Sequence, residues 1–530
     1  MASSITPSRF AKHLKENGFD SRRGNEDAHG FVVTYIDLTA TRIRVGRYLP
    51  VLVPQRGQDG LAGEELDEAI DAAAAYTRSS RANFVVLASG ASAEPHQHHH
   101  ASKSGVVIFE PADMVAVCDA RRGPAKEQAV VRVLVRRLGR RALSPYVGMG
   151  QPAFGTSFFG RASTLDRLVG RNAPSLTIMG NRRIGKTSLL RELSRRLRIA
   201  YEDSVTADLY ASNCHSTYDV IRGLLEGITT RGAQNLAPHE VHRFPTILRQ
   251  LAASGQIYFF IDEADRLIEF DKKQQFECLN LLRAATEQGS CRVFFAGFRR
   301  IMAAREQQDT PLFNFTKAET LAGLSQADTT EMVIRPLLNL GIDMRRTDVA
   351  ATIYRETGGY PELIQMFCEE LIEIYESIGA IPKDAELLEK VFTSSQFQSK
   401  IFGTFLGSTN ALEQLAAYLL IREAGHQNIE TFEFERDDVA RVLTDASLDL
   451  GYPGAWKIAR HLETGGVIAQ VGGTRRLKFS VPQLARYCMN IDLDRCIASA
   501  QRQARSGDMI AQLESEPHEI SASDSARDVS

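Results

Sequence analysis

The sequence is poor in tryptophan and cysteine, with one tryptophan and seven cysteines in 530 residues. No two of the cysteines have the C-x-x-C spacing that is typical of zinc sites and redox motifs. The scattered cysteines therefore fit buried thiols in a reducing compartment better than a disulfide framework. They are Cys118, Cys214, Cys278, Cys291, Cys368, Cys488 and Cys496.

Long apolar runs are also missing, since no stretch approaches the roughly 18 consecutive apolar residues that a membrane span needs. The polar N-terminus shows no signal peptide, so we expect a cytoplasmic protein without a membrane partner. The formal net charge is only −2, which excludes a bulk nucleic-acid binder but leaves room for local basic faces. A length of 530 residues predicts three or four domains.

The most informative motif is G-N-R-R-I-G-K-T-S at Gly180–Ser188, which fits the phosphate-binding pattern G-x-x-x-x-G-K-[ST]. Gly180 and Gly185 allow a tight turn that points backbone N–H groups at a phosphate. Lys186 is expected to reach the β- and γ-phosphates, and Thr187 to supply a hydroxyl to Mg²⁺. The predicted nucleotide-binding residues are Gly180, Asn181, Arg182, Arg183, Ile184, Gly185, Lys186, Thr187 and Ser188.

The flanks of this motif agree with it. An apolar strand is predicted at Ser175–Met179 and an amphipathic helix at Thr187–Leu197. A second apolar strand, Ile257–Asp262, ends in Asp262 and is followed by Glu263. Asp262 is the predicted second Mg²⁺ ligand, and Glu263 the predicted general base for an attacking water. Strands at Val205–Tyr210 and Cys291–Ala296 complete an alternating pattern, which predicts a parallel sheet with helices on both faces.

The rest of the chain divides by composition. We predict a flexible N-terminus at 1–30, an α/β domain of unknown role at 31–143, and a linker at 144–158. The P-loop core follows at 159–323, and a helical lid at 324–395. Three helices and a β-ribbon predict a winged-helix domain at 400–490, and the polar tail at 505–530 is expected to be disordered.

Three features of the N-terminal domain bear on function. The run H-Q-H-H-H at His96–His100 favours a solvated loop over a metal site, because no carboxylate or thiol accompanies it. The arginine-rich stretch Lys126–Arg141 is expected to form one helix with a solvated face, with phosphate binding as the alternative. Asp37 ends a predicted strand, which leaves open a nuclease-like domain, although no Glu-x-Lys partner follows.

Four motifs together resemble the prokaryotic STAND-type ATPases, the signalling relatives of AAA+ proteins, in the branch near the archaeal ATPases and the Orc1/Cdc6-like initiators. The motifs are F-G-R at Phe159–Arg161, the P-loop, F-I-D-E-A-D at Phe260–Asp265, and G-G-Y-P at Gly358–Pro361. The resemblance covers residues 155–490. The resemblance implies that Pro361 places the lid against bound ATP. The sequence departs from the family pattern at Phe298-Arg299-Arg300, where relatives often carry a polar γ-phosphate sensor.

These observations lead to three hypotheses. The first is a switch in which binding and hydrolysis of Mg-ATP rearrange the lid and the winged helix and signal to a protein partner. The partner would bind residues 31–143 or the winged helix, and nucleotide-dependent homo-oligomers are a further expectation. The second is an initiator-like ATPase that binds duplex DNA. Its basic positions are Lys457, Arg460, Arg475, Arg476 and Lys478, although the acidic segment Glu430–Asp438 opposes it. The third is a nuclease effector at the N-terminus.

Overall fold

The structure is a computed structural model that describes most of the chain. The described residues are 5–16, 26–28, 31–38, 41–44, 48–54, 68–70, 72–73, 84–88, 105–120, 124–146, 151–170, 173–229, 236–345, 348–379, 384–407 and 409–505. The histidine run His96–His100 and all but the first residue of the 505–530 tail lie outside these residues.

The N-terminal part of the chain contains a five-stranded mixed sheet in the order β1-β2-β3-β4-β5. Neighbours from β1 to β3 run antiparallel, whereas β3, β4 and β5 run parallel. The strands are β1 (Glu26–Ala28), β2 (Phe31–Asp37), β3 (Tyr48–Pro54), β4 (Phe84–Ala88) and β5 (Gly105–Phe109). The helices are α1 (Pro7–Glu16), α2 (Pro111–Cys118), α3 (Pro124–Leu138) and α4 (Arg140–Leu143).

Two sequence predictions for this part were wrong. Residues 1–30 were expected to be loose, but α1 buries Phe10 and Leu14 completely against the sheet. The single helix expected at Lys126–Arg141 is broken into α3 and α4. Gly139 separates the two helices with a φ of 80°, a left-handed conformation that an α-helix cannot continue through.

The central part of the chain forms a five-stranded sheet in the order β10-β6-β9-β8-β7, and every neighbouring pair is parallel. The strands are β6 (Leu176–Met179), β7 (Val205–Tyr210), β8 (Ile257–Asp262), β9 (Cys291–Gly297) and β10 (Lys317–Thr320). The α-helices are α5 (Ala162–Leu168), α6 (Lys186–Ala200), α7 (Thr217–Ile228), α8 (Phe244–Leu251), α9 (Ala264–Asp271), α10 (Glu277–Glu287) and α11 (Arg299–Glu306). This order brings the carboxyl ends of β6, β9 and β8 side by side.

The strands β8 and β9 are apolar on both faces because helices cover both sides of the sheet. Phe259 and Ile261 pack into the cluster on one face, together with α7, α8 and α10. Tyr258 and Phe260 pack into the cluster on the other face, which continues into the helices that follow. The rings of Phe260 and Phe294 stack with centroids 5.0 Å apart. The prediction of a parallel sheet covered on both faces is confirmed.

After the second sheet the chain is almost entirely helical. The first group is α12 (Gln326–Asn339), α13 (Val349–Thr357), α14 (Pro361–Ile378), α15 (Asp384–Phe392) and α16 (Ser395–Phe405). The C-terminal unit, residues 411–490, follows with α17 (Ala411–Gly425), α18 (Arg436–Asp445), α19 (Gly451–Thr464), β11 (Ile468–Gln470), β12 (Leu477–Phe479) and α20 (Pro482–Asn490). A last helix, α21 (Leu493–Ala504), packs against α17. None of the described helices has the length and apolar character needed to cross a membrane.

The segment 144–158, predicted as a linker, makes defined contacts where it is described. Tyr146 is buried, and its hydroxyl donates to the backbone oxygens of Met332 and Val333 in α12. The backbone N–H of Gly155 donates to the carboxylate of Glu192 on α6, 2.9 Å away. Burial acts to raise the pKa of Glu192, but its hydrogen bonds to Arg195 and Gly155 lower it overall. These contacts hold the segment against α12 and α6.

Candidate nucleotide site

The loop between β6 and α6 has the backbone conformations that its glycines permit. Gly180 has a φ of 151° and Gly185 a φ of 98°. A Cβ at Gly180 would lie 2.9 Å from the backbone oxygen of Leu321, so a side chain has no room there. Arg183 also adopts a left-handed φ of 63°, although it is not a glycine. The loop is therefore held in a tight, preformed turn at the carboxyl edge of the sheet.

Lys186 begins α6 and folds back over the loop. Its Nζ donates to the backbone oxygens of Gly180 and Asn181, each 2.9 Å away. Burial lowers the pKa of Lys186, while the negative charges of Glu263 and Asp262 act in the opposite direction. A buried ammonium that desolvation disfavours gains most from an added anion, which makes this position suitable for phosphate.

The side chains of Thr187, at the start of α6, and Asp262, at the end of β8, are in contact at the carboxyl edge of the sheet. The Thr187 hydroxyl donates to Asp262 Oδ2 at 2.6 Å, and the backbone N–H of Glu263 donates to Asp262 Oδ1 at 2.9 Å. A hydroxyl and a carboxylate in contact are oxygen ligands of the type Mg²⁺ prefers. The two residues present thus fit a Mg²⁺ ion that also binds phosphate oxygens.

Glu263 occupies a strained position directly after β8. Its φ of 53° lies in the left-handed region, which is uncommon for a residue with a side chain. Desolvation raises the pKa of its carboxyl group, the neighbouring Asp262 charge raises it further, and Lys186 opposes the shift. A carboxylate with a raised pKa at the rim of a phosphate loop has the chemistry of a general base.

Arg161 supports the loop from below. Its guanidinium donates to the backbone oxygens of Ile184 and Ala322, at 2.7 and 3.1 Å. Burial lowers the pKa of this group to about 10. Arg161 thereby ties the loop to the segment that follows β10, a positioning contact that the F-G-R motif itself did not reveal.

The end of β9 is followed by an aromatic ring and two arginines, the departure from the family pattern that the sequence shows. The Phe298 ring lies between two cations, with its centroid 5.8 Å from Lys186 Nζ and 5.3 Å from the Arg299 guanidinium. Arg299 donates two hydrogen bonds of 2.8 Å to the fully buried carboxylate of Glu413 on α17. Arg300 instead pairs with Glu269 on α9. Of the two arginines, Arg299 is the one that links this edge of the sheet to the C-terminal unit.

The opposite wall comes from the start of α14. Pro361 occupies the first turn of α14, and Glu362 pairs with Arg183 of the loop at 3.3 Å and with Lys400 of α16 at 2.9 Å. The C-terminal unit approaches at Gly466, where a Cβ would lie 1.9 Å from the Tyr360 hydroxyl. Pro361 therefore lies at the start of a helix that contacts the loop.

These walls enclose a cavity of about 1070 Å³. The predicted residues that line it are Arg182, Arg183, Gly185, Lys186, Thr187, Ser188, Glu263 and Pro361. Gly180, Asn181, Ile184 and Asp262 are buried behind this lining. Sequence reasoning missed Gln151, Tyr210, Arg191, Arg266, Gln365 and Met366, which also line the cavity and lie outside any motif.

Two other candidate groups are not assembled into a site. Asp37 pairs with Tyr48 at the end of β2, and the adjoining strand β3 (Y-L-P-V-L-V-P) contains no acidic residue or lysine. Among the described residues, no cluster of three or more histidine, cysteine or carboxylate side chains could hold a metal ion. Three arginines of α3 and α4 form ion pairs, Arg136 and Arg137 with Asp113 and Arg141 with Glu373.

Comparison with known proteins agrees with this geometry. Residues 169–302 match the AAA domain family. The matched region contains the loop, Asp262, Glu263 and the end of β9. It is about a quarter of the chain, and no curated protein matches the sequence.

Solved structures show distant similarity over a longer region. The Walker-type ATPase PABY2304 of Pyrococcus abyssi is 14% identical, with a TM-score of 0.46 over 65% of this chain and 99% of its own. The ORC2 protein of Aeropyrum pernix, in ADPNP–ADP complexes, is 16% identical, with a TM-score of 0.44 over 70% and 97%. The Cdc6p protein of Pyrobaculum aerophilum is 13% identical, with a TM-score of 0.32 over 64% and 94%.

Proposed function

We propose that the protein is an ATP-binding and ATP-hydrolysing switch of the STAND/AAA+ type. The observation that carries this proposal is that Lys186, Thr187 and Glu263 line one cavity at the carboxyl edge of a parallel sheet, with Asp262 hydrogen-bonded to Thr187 directly behind the cavity wall. Ligands of open α/β sheets bind at this edge. The match of residues 169–302 to the AAA domain supports the same interpretation.

In this proposal each residue has a defined task. The loop amides and Lys186 bind the triphosphate, and Thr187 with Asp262 would hold Mg²⁺, which neutralises phosphate charge when bound. Glu263 accepts the proton of the attacking water. Pro361 places the start of α14 beside the nucleotide, and helices α12 to α15 act as the lid.

In this proposal Arg299 couples the nucleotide to the C-terminal unit. The buried pair between Arg299 and Glu413 joins the end of β9 to the C-terminal unit, and Arg299 also lines the cavity. An anionic γ-phosphate would compete with Glu413 for the same guanidinium. A ligand can shift a conformational equilibrium only through such differential contacts. ATP but not ADP is therefore expected to loosen the C-terminal unit, which would act as a winged helix.

Phosphate release by the full-length protein with Mg-ATP tests the proposal. Turnover that requires Mg²⁺ and a shape change between ATP-bound and ADP-bound states in small-angle scattering are the expected results. If neither ATP nor ADP binds to the purified protein, the proposal is wrong. Concentration-dependent sedimentation with each nucleotide would test the expected homo-oligomer.

Duplex-DNA binding is the second candidate, and the exposure of the β11–β12 hairpin favours it. Arg475, Arg476 and Lys478 are exposed on this hairpin. In α19, the helix that would enter the major groove, Arg460 instead pairs with Glu306 of α11. Basic side chains are thus exposed on the hairpin, where Arg476 also pairs with Glu433, whereas Arg460 of the helix contacts the nucleotide-binding part of the chain.

A salt titration tests this candidate. Each neutralised phosphate steepens the fall of affinity with salt, so a DNA-binding protein should lose affinity steeply as salt rises. The variant Arg475→Glu/Arg476→Glu should abolish the interaction in fluorescence anisotropy with a labelled duplex. Absence of binding at low salt, with either nucleotide, would exclude this function.

A further inference from the structure

Helix α14 connects the nucleotide cavity to the N-terminal part of the molecule. Its 18 residues correspond to a length of about 27 Å at 1.5 Å per residue. Its first half lines the cavity with Pro361, Glu362, Gln365, Met366 and Glu369. Its last turns lie beyond the cavity and contact a different part of the chain.

The far end of α14 is clamped onto α4. The Glu376 carboxylate accepts the backbone N–H groups of Arg140 and Arg141, at 2.5 and 3.3 Å. Arg140 places its guanidinium 4.6 Å from the ring centroid of Tyr375 and donates to the Leu340 backbone oxygen at 3.0 Å. Arg141 also pairs with Glu373 at 2.9 Å. We call residues Arg140, Arg141, Glu373, Tyr375 and Glu376 the α4–α14 clamp.

A second connection reaches the phosphate loop itself. Arg42, which follows β2, donates to the Phe158 backbone oxygen at 3.0 Å and lies 4.9 Å from the ring centroid of Phe159. Arg161, two positions after Phe159 in the sequence, donates to the Ile184 backbone oxygen inside the loop. The N-terminal part therefore contacts both the segment that supports the loop and the helix that lines the cavity.

We propose that residues 124–146 read out nucleotide occupancy through α14 and the α4–α14 clamp. This inference rests on the proposed function, because it requires a nucleotide in the cavity. A buried helix in a close-packed interior moves as a unit, so a shift at Pro361 reaches Glu376. Coupling of this kind is reciprocal: if the nucleotide stabilises the clamped arrangement, the clamp also strengthens nucleotide binding. The N-terminal sheet is then the output or input element of the switch.

Hydrogen exchange measured by mass spectrometry tests nucleotide binding by the loop and its coupling to residues 124–146 separately in one experiment. Slower exchange in peptides covering 180–190 on addition of Mg-ADP or a non-hydrolysable ATP analogue reports nucleotide binding. Slower exchange in peptides covering 124–146 reports the coupling. Because coupling between sites typically corresponds to factors of about 5 to 150, we expect at least about 5-fold slower exchange in 124–146 of the wild-type protein.

The variant Arg140→Ala/Arg141→Ala/Glu376→Ala removes the side-chain contacts of the clamp without altering residues that line the cavity. At saturating nucleotide we expect it to keep the protection of 180–190 and to lose that of 124–146. The control Arg132→Ala changes an exposed arginine of α3 and should behave as wild type. Circular dichroism and a thermal melt of each variant show that it remains folded.

Two results would overturn the inference. Protection of 180–190 without any change in 124–146 of the wild-type protein leaves the ATP-binding proposal standing and rejects the coupling. Protection of 124–146 that persists in the clamp variant also rejects the route through α14. Failure of nucleotide to protect 180–190 would reject both proposals together.

Discussion

Arg299 and Glu413 are 114 positions apart in sequence, yet their side chains form two parallel hydrogen bonds of 2.8 Å. Glu413 is fully buried, and His461 Nδ1 lies 3.0 Å from its Oε1 atom. Burial by itself would raise the pKa of Glu413, but its hydrogen bonds to His461 and Arg299 lower it. One carboxylate thus joins the end of β9 to both α17 and α19.

Removing Arg299 should destabilise the protein, because the buried carboxylate of Glu413 would lose its charged arginine partner and keep only contacts with His461 and Asn410. We expect Arg299→Ala to lower the free energy of unfolding by about 3 kcal/mol, as measured by urea denaturation. The neighbouring Arg300→Ala is the matched control, since Arg300 pairs with Glu269 in a more exposed setting and such pairs contribute about 0–1 kcal/mol. Equal losses of unfolding free energy in the two variants would show that the buried pair contributes no more to stability than the more exposed pair.

The lowered pKa of Glu413 also predicts a pH dependence. The folded state holds the carboxylate in its charged form more strongly than the unfolded chain does, where a glutamate titrates at about 4.3. The stabilisation is therefore complete above that pH and is lost as pH falls through the lowered folded value. The difference in unfolding free energy between wild type and Glu413→Gln should shrink below about pH 4.3. A difference that does not change with acid would contradict this assignment.

Contact between the C-terminal unit and the loop can be tested at Gly466. A methyl group there would lie 1.9 Å from the Tyr360 hydroxyl and 2.8 Å from Asn181 Nδ2. We expect Gly466→Ala to lower the melting temperature by displacing the C-terminal unit. Gly472→Ala is the control, because Gly472 also has a positive φ but a methyl group there would meet no atom within 4 Å. Similar effects in both would mean that backbone strain alone explains them.

Lys186→Ala should weaken nucleotide binding strongly. A hydrogen bond to a charged group contributes about 1.5–3 kcal/mol, so an affinity loss of about 10- to 100-fold is expected in a fluorescent-nucleotide titration. Lys273→Ala replaces an exposed lysine near the end of α9 and should not change affinity. Unchanged affinity in Lys186→Ala would remove the loop from the proposed site.

Glu263→Gln should abolish hydrolysis and leave binding intact, because it keeps the shape of the side chain but removes the base. General bases typically contribute about 10²- to 10⁴-fold to a rate, which sets the expected loss of phosphate release. Desolvation raises the pKa of Glu263, and a protonated carboxyl group cannot accept a proton. Wild-type turnover should therefore fall on acidification at a pH above the usual value of about 4.3 for glutamate. Retained turnover in Glu263→Gln would assign the base to another group.

Elements with a strong local pattern were predicted well. Strands β7 and β8 occupy the predicted residues, because β8 is a continuous apolar run and β7 (V-T-A-D-L-Y) contains β-branched and aromatic residues that favour strands. Strand β3 was missed, since Pro50 and Pro54 weaken its strand pattern. Strand β10, with the sequence K-A-E-T, is polar and exposed and has no apolar signal. Its place beside β6 depends on backbone pairing rather than on its side chains.

The phosphate loop and its Asp-Glu partner are readable from short stretches of residues, because tight turns and strand ends depend on a few adjacent positions. What surrounds them follows from the packing of distant parts of the chain. This packing joins Arg299 to Glu413, brings Gly466 against Tyr360, and places Glu376 on the backbone of Arg140. Contacts between residues so distant in the chain follow from how helices and sheets pack, and no local pattern of residue types encodes the choice of partner.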